Sequence, residues 1–209
     1  MLRRHMNILA LPAGITRFVV ADMPPETWAN GGGTTRTVAK ASGPTHDDWI
    51  WRVSVAKIEQ SGPFSVFNRT DRQLTLLEGT GLTLETPKAT TGLHKPGDSL
   101  CFAGDVPVRA TLAHGPVDAW NVMWKRGLAS CHSTLYIGAS GELLELGQSV
   151  ETIVVVLEGS DVVRLQGDGC EVDLLPGEGI WLNTHISPFQ IRSGASGCAV
   201  LVTQVKVET

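Results

Sequence analysis

The chain has 209 residues, 42% hydrophobic and 18% charged, so it can bury a substantial core and is neither disordered nor fibrous. Its 17 lysines and arginines against 21 aspartates and glutamates give a net charge of −4, and the absence of a basic run argues against a nucleic-acid partner. No stretch reaches the roughly 18 apolar residues that a membrane-spanning helix needs, so we expect no membrane partner.

Short apolar runs, separated by glycine and proline, dominate the chain from end to end. They are rich in Val, Ile, Leu, Thr and Trp and lack the period of a long helix. Short strands at regular spacing predict an all-β fold, either a barrel or a sandwich. The predicted strands are residues 16–20, 34–39, 49–58, 73–77, 118–124, 153–157, 180–183 and 198–205.

A glycine-rich segment, WANGGGTTR, runs from Trp28 to Arg36 and enters the second predicted strand. Consecutive glycines allow close backbone approach and can present N–H groups to an anion. The known nucleotide-binding glycine patterns are not matched. The segment is therefore either a ligand-binding loop or a tight connection between strands.

The third predicted strand, WIWRVSVAKI, alternates between two faces. Its tryptophans and valines form one face, which we assign to the core, and Arg52, Ser54 and Ala56 form the other. Arg72 enters the next strand. Because guanidinium groups grip carboxylates in a bidentate manner, Arg36, Arg52 and Arg72 together predict a small acid as ligand. The alternative for Arg52 is an ordinary solvent face.

An internal repeat relates the two halves of the chain. Glu78-Gly79 matches Glu158-Gly159, and Pro96-Gly97-Asp98 matches Pro176-Gly177-Glu178, with the same separation along the chain. Each turn needs its own backbone angles at the same place, so the repeat indicates two copies of one β unit. The alternative is a coincidence between two common turn types.

The order strand, Glu-Gly turn, strand, Pro-Gly-acid turn and strand resembles the cupin pattern, a small jelly-roll barrel. Two copies imply a bicupin with two jelly-roll-like β-barrels. We place the N-terminal barrel, with the ligand pocket, in residues 1–126 and a mainly structural C-terminal barrel in residues 127–209. Metal-binding cupins use His and Glu ligands, whereas the matching positions here hold Asn68, Thr70, Arg72 and Val108. The first barrel is therefore expected to be free of metal.

The motifs WANGGGTTR, WRVSVAKI, SGPFSVF with DR, FAGD and GPVDAWNVMWKR, in this order, resemble the HutD/Ves family of bicupins, which is linked to histidine-utilisation operons. The resemblance implies binding of a histidine-degradation intermediate, with N-formylglutamate proposed, and restraint of the pathway's output. One departure lies at residues 68–70, where the family often has a Pro-Gly turn. The implied pocket consists of Trp28, Asn30, Gly31, Gly32, Thr34, Arg36, Arg52, Ser54, Arg72, Asp105, Asp118 and Asn121.

Two of these residues, Asp105 and Asp118, also have a structural interpretation. Both border turns, where aspartate commonly bonds the backbone. Alternation puts Asp118 and Asn121 on opposite faces of a strand, so at most one of them points into the pocket unless a bulge intervenes.

We therefore predict a cytoplasmic, metal-free bicupin that binds a small anionic metabolite and acts as a sensor or governor of histidine degradation, with no cofactor. Four cysteines without CxxC spacing fit reduced thiols in the cytoplasm. One alternative is a metal-independent hydrolase or isomerase with Asp105 as acid or base, and another is a structural interaction module. No catalytic triad can be read from the spacing, which favours binding over turnover. The sequence leaves a homodimer open.

Overall fold

Strands form nearly all of the regular structure. The computed structural model describes residues 11, 13–43, 49–138, 143–145, 151–157, 160, 162–167, 170–183, 190–192 and 198–208. Within these ranges it contains 19 strands and one short 3-10 helix, and none of the described segments is a helix that could cross a membrane. The prediction of an all-β fold is confirmed.

The first half of the chain contains eleven strands and the 3-10 helix η1. They are β1 (Ile15–Val19), η1 (Val20–Asp22), β2 (Pro25–Thr27), β3 (Gly33–Ser42), β4 (Trp49–Ile58), β5 (Gly62–Pro63), β6 (Thr70–Glu78), β7 (Leu82–Glu85), β8 (Thr90–Leu93), β9 (Ser99–Ala103), β10 (Arg109–Leu112) and β11 (Val117–Lys125).

Eight further strands follow in the second half. They are β12 (Ala129–Gly138), β13 (Leu143–Glu145), β14 (Glu151–Val156), β15 (Val163–Gly167), β16 (Cys170–Leu174), β17 (Glu178–Leu182), β18 (Gln190–Arg192) and β19 (Cys198–Val207). All eight predicted strands are present; the strand at residues 49–58 has the predicted ends, and the others are shifted at one or both ends. The short hairpin strands and the long strand β12 had no prediction.

The strands form four antiparallel sheets. A six-stranded sheet has the order β2-β3-β4-β11-β6-β9, and a four-stranded sheet has the order β5-β10-β7-β8. A five-stranded sheet has the order β1-β17-β14-β19-β12, and a second four-stranded sheet has the order β13-β18-β15-β16. Each large sheet is therefore matched by a small one.

Three apolar clusters show how these sheets pack. Leu74, Leu76 and Leu84 belong to a cluster between the six-stranded sheet and the first small sheet. A second cluster joins the two large sheets face to face, and a third fills the space between the five-stranded sheet and the second small sheet. Alternation along β4 fits this arrangement, since Trp51 and Val53 lie in the cluster between the large sheets.

The internal repeat is visible in the strand register. Leu74 pairs with Leu100 in β6 and β9, and Val154 pairs with Ile180 in β14 and β17, with both partners displaced equally along the chain. The two Pro-Gly turns match as well, because Gly97 N–H donates to Leu76 and Gly177 N–H donates to Val156. Glu158-Gly159 lies outside the described residues.

Strand β1 crosses from one half to the other. It precedes all strands of the six-stranded sheet, yet it pairs with β17 at the edge of the five-stranded sheet, with Phe18 opposite Gly179. A Cβ at Gly179 would meet the Phe18 ring and the Val154 carbonyl oxygen at 2.3 Å, so only glycine fits between them. The predicted boundary at residue 126 therefore leaves β1 in the sheet of the other half.

Candidate functional site

Two arginines occupy one row of the six-stranded sheet. Met123 of β11 pairs with Arg52 of β4 on one side and with Arg72 of β6 on the other. Directly paired residues share a face, and neighbouring strands lie about 5 Å apart. The two arginines therefore rise from the same face, on the strands at either side of β11, toward the interior of the first half.

These arginines line a cavity of about 190 Å³, named here the arginine cavity. Its walls come from β4, β6 and β11 and from the segments that carry Trp28 and Phe64. The lining residues are Glu26, Thr27, Trp28, Ala29, Thr35, Arg52, Ala56, Ile58, Phe64, Ser65, Phe67, Arg72, Leu74, Asn121 and Met123.

Arg72 lies deep in the cavity, with 7% of its surface exposed. Its guanidinium carbon lies 5.1 Å from the Phe64 ring centre, 5.8 Å from that of Phe67 and 5.0 Å from that of Phe102. Aromatic faces attract a cation at such distances. Nη2 donates to Asn121 Oδ1 at 3.0 Å, while the buried Nε has no hydrogen-bond partner.

Arg52 is half-buried beside it. Its Nη2 donates to the weak acceptor Met123 Sδ at 3.4 Å, and its guanidinium carbon lies 5.7 Å from the Trp49 ring centre. The buried Nε of Arg52 also lacks a partner. Both arginines thus keep unused donors.

The electrostatics of the cavity are those of two cations removed from water. Burial, together with the smaller effect of the Arg52 charge, lowers the pKa of Arg72 to about 10. Burial also lowers the pKa of Arg52, an effect that the charge of Glu26 partly opposes. No carboxylate among the described residues lies within ion-pairing distance of either arginine. An anion between them would relieve both penalties.

Asn121 and Ser54 form the next pair on the same face, two residues along β11 and β4 from Met123 and Arg52. Asn121 Nδ2 donates to Ser54 Oγ at 3.4 Å, and its Oδ1 is held by Arg72. Ser54 is fully buried and donates to the Asn121 carbonyl oxygen at 3.3 Å. Asn121 lines the cavity, whereas Ser54 supports it from behind.

The glycine-rich segment positions Trp28 rather than presenting N–H groups to an anion. Gly31 N–H donates to the Trp28 carbonyl, and Gly32 N–H donates to Asn30 Oδ1. Gly31 has a φ of 67°, and a Cβ at Gly33 would lie 2.2 Å from the Lys57 carbonyl oxygen. Gly31 is therefore required by the backbone of the turn, and Gly33 by its close approach to β4.

Trp28 forms one wall of the arginine cavity as a result. Its Nε1 donates to Thr35 Oγ1 at 2.8 Å, and its ring contacts Phe64 edge-on at 6.1 Å. Asn30 Nδ2 donates to the Pro63 carbonyl at 3.2 Å. Asn30 and Gly32 line a separate small recess of about 110 Å³ that shares Trp28 and Phe64 with the arginine cavity.

Thr34, Arg36 and Asp118 face a different space. They line a cleft of about 660 Å³ between the two large sheets, named here the inter-sheet cleft. Arg36 Nη1 donates to the carbonyl oxygens of Ala21 and Met23. The prediction that Arg36, Arg52 and Arg72 share one site is therefore wrong for Arg36, which lines the inter-sheet cleft instead of the arginine cavity. Alternation along β3 places Thr35, rather than Thr34 or Arg36, on the cavity side.

Asp105 lies outside both spaces. It accepts two hydrogen bonds from Arg126, at 2.7 and 2.8 Å, and this contact lowers its pKa. Arg126 also donates to Asp71 Oδ1 at 2.8 Å. The placement fits the structural interpretation of Asp105 as a residue that fixes a turn. Asp118 and Asn121 lie on opposite faces of β11, as alternation predicts.

The aromatic residues of the cavity were not predicted. Phe64 and Phe67 come from the loop between β5 and β6, Phe102 comes from the edge strand β9, and their convergence on Arg72 follows from the fold. A partial signal existed in the motif SGPFSVF, which places two phenylalanines shortly before Arg72. Among the described residues, no group of three or more His, Cys, Asp or Glu side chains could hold a metal.

Comparison with known proteins shows the family to which this chain is similar along most of its length. The HutD family model matches residues 20–199. An uncharacterised 21.2 kDa protein from the hutC 3′ region of Pseudomonas putida is 30% identical over 178 residues, covering 74% of this chain and 94% of that protein. Protein Ves of Cronobacter sakazakii is 33% identical over 144 residues, covering 68% of this chain and 76% of Ves.

Solved structures agree with these matches. HutD from Pseudomonas fluorescens SBW25, in a formate condition, superposes with a TM-score of 0.76 at 23% identity and covers 93% of this chain and all of its own (100%). A cupin 2 conserved barrel domain protein from Leptotrichia buccalis superposes with a TM-score of 0.62 at 14% identity, covering 91% of this chain and 96% of its own. The fold is therefore cupin-like.

Proposed function

Because the chain belongs to the HutD family, which is linked to histidine utilisation, we propose that it binds a small carboxylate in the arginine cavity and acts as a cytoplasmic sensor or governor of histidine degradation. The ligand proposed is N-formylglutamate or an acid of the same kind.

One observation carries this proposal: the half-buried Arg52 and the buried Arg72 flank Met123 on one face of the sheet, and neither has a carboxylate partner among the described residues. A buried charge is costly unless it is paired and hydrogen-bonded. A protein that keeps two such charges together loses stability when empty. A ligand carboxylate would supply the missing acceptors through charge-assisted hydrogen bonds.

The surroundings limit how that acid can bind. Phenylalanine rings stand close around the Arg72 guanidinium, so the ligand would meet the edge of the guanidinium rather than its faces. A dicarboxylate could give one carboxylate to each arginine. Asn121, Trp28 and Thr35 then provide an amide, an indole and a hydroxyl to contact the rest of a small polar molecule.

Binding is better supported than turnover. The acid-base candidate Asp105 is bound to Arg126 outside the cavity. Glu26 is the acidic residue of the lining and is exposed. No contact within the cavity activates a hydroxyl or water, so no observation favours the hydrolase or isomerase alternative.

We further propose that the two matched halves are two cupin barrels, with the division near residue 126. The first carries the ligand site and the second is mainly structural. The shared register of β6 with β9 and of β14 with β17 supports this division. Strand β1 would be the element that crosses between the barrels.

Calorimetric titration with N-formylglutamate tests the binding function. Wild-type protein should bind saturably without producing glutamate or formate. Arg52→Ala should weaken binding roughly ten- to a hundredfold, since a charge-assisted bond contributes about 1.5 to 3 kcal/mol. The matched control is Arg109→Ala, which removes an exposed arginine of β10 and should leave the affinity unchanged.

Two results would overturn the proposal. Product formation during the titration would make the protein an enzyme. Saturable binding with equal affinity in wild type and Arg52→Ala would remove the arginine cavity as the site.

A further inference from the structure

The inter-sheet cleft has a polar wall of mixed charge that the carboxylate site does not use. Lys57 of β4 pairs with Asp118 of β11, and Asp118 pairs in turn with Glu78 of β6. Thr34 extends the same row on β3, opposite Lys57. Arg36 adds a second cation from β3. Two basic residues from β3 and β4 therefore lie beside two acidic residues from β11 and β6 on one wall.

These four charged side chains do not pair with one another. Within the described ranges, no ion pair joins Lys57, Asp118, Glu78 or Arg36. Asp118 is half-buried, and the pKa of its carboxyl is raised mainly by burial, although Lys57 acts to lower it. A half-buried carboxylate with no donor keeps its capacity to accept a hydrogen bond from a ligand.

The opposite wall is aliphatic. Val155, Val156 and Leu157 line it from the five-stranded sheet, and Val19 and Val20 line it from the crossing segment. The cleft holds about 660 Å³, which is within the usual range of small-molecule sites. One side therefore suits an apolar body and the other suits charged groups of both signs.

The rim of the cleft is fixed by contacts to both halves. Arg36 holds the carbonyl oxygens of Ala21 and Met23, and Val20 N–H donates to the Gly177 carbonyl at 3.0 Å. The same segment, η1 with its flanks, connects β1 in the five-stranded sheet to β2 in the six-stranded sheet. The opening of the cleft is therefore a built feature of the fold.

We propose that the inter-sheet cleft is a second binding site, for a zwitterionic amino-acid ligand with an apolar side chain. Asp118 accepts the ligand ammonium, Lys57 and the free donors of Arg36 bind its carboxylate, and the side chain packs on Val155 and Leu157. This site is independent of the carboxylate site, because it lies on the opposite face of the six-stranded sheet.

A zwitterion fits better than a simple ion. An anion would meet Asp118 and Glu78 beside the two cations, and a cation would meet Lys57 and Arg36 beside the two acids. A ligand with both charges on one carbon satisfies each sign locally. The arginine cavity differs in this respect, since no acid in the described ranges lies at contact distance from Arg52 or Arg72.

Calorimetric titration with L-phenylalanine tests this site, with 3-phenylpropanoate and 2-phenylethylamine as matched probes that lack the ammonium or the carboxylate. L-Phenylalanine should bind saturably and at least roughly tenfold more tightly than either probe, because each loses a charge-assisted contact. Asp118→Asn and Lys57→Met should each weaken it by a similar factor. Arg52→Ala should leave it unchanged.

Folding of Asp118→Asn and Lys57→Met is checked by their unchanged affinity for N-formylglutamate relative to wild type, or by unchanged melting temperature if that acid does not bind. Absence of saturable L-phenylalanine binding would overturn the second site. So would equal affinity for either matched probe, or loss of binding in Arg52→Ala but not in Asp118→Asn. Binding of L-phenylalanine without binding of N-formylglutamate would overturn the carboxylate function alone.

Discussion

Matched rows of the two large sheets differ in chemistry although their backbones pair alike. In the first half the row reads Arg52, Met123, Arg72 and Phe102 across four strands. The corresponding row of the second half reads His132, Gln204, Thr152 and Leu182. No arginine faces the interior at this row in the second half.

The difference shows where function resides in a repeated fold. The interior of the second half is filled by aliphatic side chains such as Val154, Leu165 and Ile180, all fully buried. In the first half, the half-buried Arg52 and the buried Arg72 line a cavity together with aromatic rings. The same strand register thus supports a filled core in one half and a charged site in the other.

The largest expected effect comes from placing an arginine in the second half at the position that matches Arg72. Thr152→Arg places a guanidinium among the aliphatic residues of the second half, at the position that matches Arg72. Because the neighbouring Val154 and Ile180 are fully buried aliphatic residues, we expect a loss of about 3 to 5 kcal/mol in the free energy of unfolding. Chemical denaturation measures this loss.

Thr152→Met controls for side-chain size at the same position. It should cost clearly less than Thr152→Arg. Equal losses in the two variants would mean that crowding, rather than charge, distinguishes the two interiors.

Removal of the deeper charge in the first half should separate binding from stability. Arg72→Met should abolish measurable binding of N-formylglutamate, since the charged edge of Arg72 is lost. The unliganded variant should melt no lower than wild type, because a desolvated cation is replaced by an apolar side chain. Wild type should melt higher when ligand is added, whereas the variant should not. A marked fall in the melting temperature of the empty variant would instead make Arg72 a structural residue.

The contact between the two halves should affect stability alone. Gln73 exchanges two hydrogen bonds with the Ser133 backbone, at 2.9 and 2.7 Å. Gln73→Leu leaves buried groups of Ser133 unsatisfied and should cost about 1 to 3 kcal/mol of unfolding free energy.

The matched control is Gln166→Leu, an exposed glutamine of β15, which should be neutral in the same denaturation experiment. Ligand affinity should be unchanged in both variants. A change in affinity in Gln73→Leu would show that the contact between Gln73 and Ser133 also positions Arg72, the residue before Gln73.

The smallest effect is expected from a conservative change at the cavity. Arg52→Lys keeps the charge but loses the planar fork that matches a carboxylate. Its affinity for N-formylglutamate should lie between those of wild type and Arg52→Ala in calorimetry. Full recovery by lysine would mean that Arg52 acts as a point charge and makes no bidentate contact.

Much of this arrangement follows from sequence alternation. Strand β4 separates Trp51 and Val53 from Arg52 and Ser54 because successive side chains point to opposite faces. Arg52 and Ala56 face the interior of the first half. Arg72 faces it too, because Met123 of β11 pairs with both Arg52 and Arg72. The repeat of the Pro-Gly turns likewise predicted two copies of one β unit, and the matched pairing of β6 with β9 and of β14 with β17 fits that prediction.

Other features depend on long-range pairing that local patterns do not encode. Alternation alone does not say which face of β3 meets the interior, so Arg36 was grouped with the wrong arginines. The crossing of β1 depends on its pairing with β17, far along the chain. The aromatic residues around Arg72 come from the loop between β5 and β6 and from the edge strand β9, and their meeting depends on the pairing of β6 with β9.

A crystal structure of the protein with N-formylglutamate tests the central claim most directly. The account predicts ligand density in the arginine cavity, with carboxylate oxygens about 2.7 to 2.9 Å from nitrogens of both Arg52 and Arg72. Density for the ligand elsewhere, with the two arginines still unpaired, would contradict it.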